Sequence, residues 1–193
     1  IFGGALSAFL MHMMMSKLPS IPPLTAPFIF TIWMIGVNID FWEISRVNQG
    51  ENITPLSASV IDLFSGVLSG VGQVMLQGSW LSGAVFCFAL LCSSYKTLVW
   101  ALLGSATGLL IAIMLGFSHE SATLGLYSFN GCLVAIALVD RYPGRYWLIF
   151  FALLFTVVLT RGFVMVEIPA FTAPFVITTW LSISLVKLRP KVS

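Results

Sequence analysis

Between Asp62 and Glu120 the chain carries a single formal charge, Lys96. A soluble domain cannot be built this way, because its surface must face water and roughly a quarter of its residues are charged. Here 8% of the 193 residues are charged and 59% are hydrophobic, with a mean hydropathy of +1.02. Nine basic and seven acidic side chains cannot cover a globule of this size, but they can cap the ends of helices that cross a lipid bilayer. The expected fold class is an all-α polytopic membrane protein.

A bilayer core of about 30 Å takes roughly 17–25 apolar residues per helix. Seven spans are expected on that basis, near 1–15, 24–38, 80–94, 96–116, 124–139, 147–160 and 171–188. Several are short, as in broken or re-entrant elements, which are tolerated at membrane depth only where they line a cavity or are buried in protein. Residues 58–79 are apolar but interrupted by glycine and contain Asp62, so they read as a half-membrane element. Residues 39–57 hold Asp40, Glu43, Arg46 and Glu51 and form a polar linker. Cytoplasmic loops are enriched in Lys and Arg. Placing Lys187, Arg189 and Lys191 inside also puts Lys17, Lys96, Arg141 and Arg145 there, and leaves only Arg46 and Arg161 outside.

Residues 21–33 read IPPLTAPFIFTIW and residues 168–180 read IPAFTAPFVITTW. Eight of thirteen positions match at an offset of 147. The expected topology enters the first copy from an inside loop and the second from an outside loop, so the two repeats are inverted. Inverted repeats with interrupted helices place a transport site near the midplane, at the repeat interface. Each copy brackets a threonine with prolines, which remove backbone donors and break a helix. That is costly in lipid unless the freed groups face a polar pathway, so the repeat points to transport.

These residues resemble the urea transporter family. Its signature, L-P-x-x-T-x-P-F, is matched by Ile21–Phe28 and Ile168–Phe175, with Ile in place of the leading Leu in both. Gly70–Leu76, followed by Leu81-Ser82-Gly83, is similar to the family's pore-helix segment, and Tyr127–Leu133 to its Tyr-x-x-Asn-x-x-Leu segment. The resemblance implies an inverted-repeat, channel-like fold with re-entrant pore helices, arranged as homotrimers with one pore in each protomer. It also implies domain limits: 1–38 as the end of a first repeat, 39–57 as the inter-repeat loop and 58–193 as a complete second repeat. The chain is thus expected to be an N-terminally truncated member, starting inside its first half.

Urea is small, flat and neutral, with four N–H donors and one strong acceptor. Removing its water without replacing those hydrogen bonds costs several kcal/mol. A selective path therefore needs acceptors along its edges and flat apolar walls against its faces. Carried over by position, Thr25 and Thr172 would supply hydroxyls at the narrow middle, and Gln73 would accept an N–H at a mouth beside Val74. Leu76, where the family often has Phe, and Phe129 would form walls. Carbonyls freed by Pro22, Pro27, Pro169 and Pro174 would supply further acceptors.

Passive conduction of urea across the cell membrane is the leading expectation, with urea and the lipid bilayer as partners. The alternatives are a pore for ammonia or other small neutral amides, and a non-conducting membrane scaffold. Catalysis is not expected, because no convergent acids or histidines mark a site. No metal or cofactor is expected either, since Cys87, Cys92 and Cys132 fit no metal spacing and read as packing residues. A net charge of +2 without a basic cluster gives no footprint for nucleic acid.

Overall fold

The computed structural model describes residues 1–38, 60–117 and 119–188. The polar linker expected over 39–57 and the basic residues Arg189 and Lys191 lie outside them. The described residues are helical and contain no strand. In chain order the helices are α1 (Phe2–Lys17), α2 (Ala26–Asn38), α3 (Val60–Gly72), α4 (Trp80–Ser93), α5 (Tyr95–Met114), the short α6 (His119–Thr123), α7 (Phe129–Arg141), α8 (Tyr146–Met165) and α9 (Ala173–Leu188). A 3₁₀ turn, Gln73–Met75, continues α3.

Two of these, α5 and α8, are 20 residues long and apolar enough to cross a membrane alone; at 1.5 Å per residue each is about 30 Å long. Asp62–Met75 and Trp80–Ser93 form a pair bent by 73°, a broken span or a re-entrant loop, which brings the number to as many as three. Ala26–Gly36 and Ala173–Leu188 are apolar but shorter. The chain is thus an all-α membrane protein, and length and composition alone support fewer complete spans than the seven expected.

Two boundaries differ from the sequence expectation for visible reasons. The span expected near 124–139 begins only at Phe129, because 124–128 form a turn. There Gly125 has φ +79° and packs so closely on Gly70 that a Cβ would collide with its backbone. The span expected to stop at 160 runs on to Met165. Arg161, which marks a loop in the sequence, sits within the helix with its guanidinium 4.5 Å from the centre of the Phe117 ring, where a cation over an aromatic face is favourable.

The chain divides into two compact units, Ile1–Gly50 with Gly162–Ser193, and Glu51–Arg161. In the second, Val71 from α3, Ala101 from α5 and Cys132 from α7 form a buried cluster. Helix α5 buries Ala101, Gly104, Ser105, Gly108 and Ala112 along one side, and Gly104 meets Gly131 of α7 so tightly that a Cβ on either would strike the other's carbonyl. Lipid tails offer no hydrophobic drive for helices to associate, so close backbone approach at small residues does that work. Thr97 Oγ1 also donates to Asp140 Oδ1 at 3.1 Å, joining the start of α5 to the end of α7. In the other unit α2 packs against α1 and touches α9. Thr31 Oγ1, buried there, is satisfied by the Pro27 carbonyl one turn back at 2.8 Å.

Candidate functional site

Pro22 and Pro169 open irregular segments that lead into α2 and α9. Pro has no N–H and cannot continue a helix ladder, and three residues later each segment ends in a threonine whose carbonyl starts a new helix. Ile29 N–H donates to Thr25 O and Val176 N–H to Thr172 O, both at 3.1 Å. The residues just before them, Leu24 and Phe171, take left-handed φ values of +50° and +44° and turn the chain into the helix. Pro27 and Pro174 lie in the first turn of α2 and α9, where the backbone N–H groups have no intrahelical acceptor, so neither costs a bond. Every one of these features recurs at the offset of 147.

A threonine at a helix start commonly caps its own helix. These two do not. Thr25 Oγ1 and Thr172 Oγ1 lie 2.7 Å apart and hydrogen-bond to each other; both residues are half-buried. Two hydroxyls bring two O–H donors and four lone pairs. Their mutual bond uses one of each and leaves one donor and three acceptor sites on adjacent oxygens.

Three of the four proline carbonyls expected as free acceptors, those of Pro22, Pro27 and Pro169, already accept a side-chain bond. Trp33 Nε1 donates to Pro169 O at 3.1 Å, Trp180 Nε1 donates to Pro22 O at 2.8 Å, and Pro27 O accepts from Thr31. Trp33 and Trp180 have no role that the sequence alone discloses, although they form the last matched pair of the repeat. The exchange is reciprocal, each copy's tryptophan serving the other copy's loop, as residues do across an isologous two-fold contact. Lys187 Nζ adds a bond of 2.7 Å from the end of α9 to Ser20 O, beside the first proline segment.

The remaining sequence-derived site residues belong to the other unit. Gln73 begins the 3₁₀ turn and donates from Nε2 to Leu124 O at 3.0 Å, leaving its Oε1 without a partner among the described residues. Val74 is half-buried and packs against the Val71, Ala101 and Cys132 cluster. Leu76 ends the turn in a left-handed conformation with its side chain 75% exposed. Phe129 is the first residue of α7 and is half-buried. Asn130 beside it is buried.

Known proteins are similar to this chain in sequence. Urea transporter 1 of Ovis aries is 27% identical over 157 residues, covering 77% of this chain and 41% of the relative. Urea transporter 1 of Rattus norvegicus is 27% identical over 154 residues, covering 76% of this chain and 40% of the relative. The chain spans about two-fifths of the length of these curated relatives. The sequence model of the urea transporter family matches residues 1–187, nearly the whole chain, and the chain therefore belongs to the urea transporter family.

Proposed function

We propose that this chain contributes to a passive, channel-like path for urea across the cell membrane, with the Thr25 and Thr172 hydroxyls at its narrowest polar point. The observation that carries this reading is the 2.7 Å contact between two threonines 147 residues apart, both standing where an irregular segment becomes a helix. The pair leaves one O–H and three lone pairs. A urea carbonyl needs a donor and its N–H groups need acceptors, so a dehydrated urea finds both on one small patch. An ion finds no compensating charge there, and leaving it bare in low dielectric is prohibitive.

In this proposal Gln73 offers its free amide oxygen at a mouth, Val74 narrows the path beside it, and Leu76 and Phe129 supply apolar walls. Pro22 and Pro169 open the irregular segments and Pro27 and Pro174 start the helices that follow; the carbonyls of Pro22 and Pro169 keep a second lone pair for urea beside the indole bonds they accept. The proposal also includes an inverted relation between 1–38 and 58–193, with 39–57 as the linker. It has homotrimers with one path per protomer and no catalytic step. The reciprocal tryptophan bonds and the names of the relatives support it.

The test is stopped-flow shrinkage of proteoliposomes carrying the full-length protein. Thr172→Val keeps the shape and removes the hydroxyl; it is expected to lower urea permeability about fivefold to tenfold, the weight of one hydrogen bond of about 1 kcal/mol in the passage. Thr172→Ser should retain most of the flux. Unchanged urea flux in the valine variant, or an unmodified protein that passes ammonia but not urea, would reject the proposal.

A further inference from the structure

We infer that Trp33 and Trp180 are positioning residues: two indole N–H groups, each reaching across the repeat, set the separation of Thr25 and Thr172 and with it the selectivity of the constriction. This rests on the urea path proposed above for its consequence in transport, but not for its geometry.

The bonds are images of one another. Adding 147 to Trp33 and Pro22 gives Trp180 and Pro169, and the structure joins Trp33 to Pro169 and Trp180 to Pro22 at 3.1 Å and 2.8 Å. Chemistry makes each bond hard to dispense with. An indole N–H can only donate, and a proline-rich segment without a helix ladder leaves its carbonyls needing a donor. No backbone N–H is bonded to Pro22 O or Pro169 O among the described residues, so the indole takes the place of the missing ladder partner.

Position turns this satisfaction into a mechanical device. Trp33 stands eight residues beyond Thr25, roughly 12 Å along α2 at 1.5 Å per residue, and Trp180 stands equally far beyond Thr172. Each helix thus carries a threonine at its start and, two turns on, a donor that grips the loop leading to the other threonine. The result is a closed circuit: Thr25, α2, Trp33, Pro169, Thr172, α9, Trp180, Pro22 and back to Thr25. The threonine contact bridges this circuit. Parting the hydroxyls strains both indole bonds at once, so the gap is held from two sides. Trp33 is further fixed by stacking on Phe163, with ring centres 6.0 Å apart and planes inclined by 28°.

Replacing an indole by Phe keeps a flat ring and deletes the donor. If the tryptophans only fill space, Trp33→Phe and Trp180→Phe will leave the threonines in place. If they position the loops, the constriction loosens. Two readouts follow, both on the full-length protein in proteoliposomes. The first is the permeability of N-methylurea relative to urea, expected to rise about threefold to tenfold in either single variant, as one hydrogen bond's weight is lost. The second needs no transport. Thr25→Cys with Thr172→Cys, in a background with Cys87, Cys92 and Cys132 replaced by Ala, should form a disulfide readily under mild oxidant. Adding Trp33→Phe and Trp180→Phe together should slow it by about tenfold or more, because disulfide geometry tolerates little displacement.

Trp100→Phe is the control. Its ring stacks on Tyr146 at 5.4 Å in the other unit, and neither readout should move. Unchanged crosslinking in the double variant overturns the inference, and so does a methylurea ratio that stays fixed while crosslinking slows. If Thr172→Val leaves urea flux intact, the urea path fails alone, and the crosslinking rate still decides the clamp. Should the double variant not fold, hydrogen exchange on the unmodified protein decides: the indole N–H signals of Trp33 and Trp180 are expected to persist in deuterated buffer, and prompt exchange of both overturns the inference.

Discussion

Leu24 and Phe171 hold the same uncommon conformation at the same place in the repeat, with φ of +50° and +44°. A left-handed residue other than glycine costs roughly 1–2 kcal/mol, and side chains branched at Cβ fit that region worst. Both residues stand directly before the threonines, where the chain must turn within one residue to bring a hydroxyl to the other copy. Leu24→Val and Phe171→Val are therefore each expected to destabilise the protein by about 1–3 kcal/mol, read as a lowered thermal midpoint in detergent. Equal midpoints in the variants and the parent would show that the turn carries no strain. The threonines themselves were legible from their spacing between prolines. The tryptophans were not, since a donor that reaches the opposite copy leaves no periodic trace, only a match at the end of the repeat. Nor does a one-residue reversal at Leu24 show in sequence, because neither Leu nor Phe advertises a turn as Gly or Asn would.

The helices follow their apolar runs closely where lipid-length patterning is uninterrupted. The run expected at 96–116 is α5, Tyr95–Met114, and the one at 171–188 is α9, Ala173–Leu188. Sequence reading departs from the structure where a local contact overrides composition: Arg161 continues α8 because Phe117 lies beneath its guanidinium, and Gly125 delays α7 because Gly70 approaches it. Helix contacts were less legible than helix extents, because small residues mark a close crossing without naming the partner. The crossing of α5 and α7 shows what such residues are for. Gly131→Ala would drive a methyl into the Gly104 carbonyl, and overpacking of this kind costs typically about 1–3 kcal/mol. Gly162 lies within α8 with open space where its Cβ would be. There alanine should be neutral or stabilising by roughly 0.5–1 kcal/mol, since glycine is the poorer helix former. The two substitutions are chemically identical and should move the thermal midpoint in opposite directions, or the first down with the second unmoved. Equal losses would mean that the Gly104–Gly131 approach is unimportant.

How the chain lies in the membrane depends on which ends share a face. The linear reading separates the first helices from the last at a polar linker, whereas the compact units join Ile1–Gly50 to Gly162–Ser193. That pairing was foreshadowed only by the repeat, since contacts between segments so far apart in sequence have no local signal. Lys187 Nζ on Ser20 O at 2.7 Å ties the end of α9 to the segment after α1. The same grouping follows from charge, with Lys17 and Lys187 both counted inside. On the topology proposed from charge, the turn after α8, holding Val166 and Glu167, lies one crossing from the Arg141–Arg145 loop and so on the opposite side. Single cysteines at Pro19, Pro143 and Val166, all exposed positions, report this directly when the native cysteines are replaced by Ala. Pro19→Cys and Pro143→Cys should react with a membrane-impermeant maleimide only from the cytoplasmic face, and Val166→Cys only from outside, each by about tenfold or more over the other face, as a uniquely oriented protein requires. Labelling of Pro19→Cys and Val166→Cys from one face would place both proline segments on the same side of the bilayer. The threonines would then be approached from one direction only, and the reciprocal bonds would describe a packed hairpin pair rather than a path through lipid.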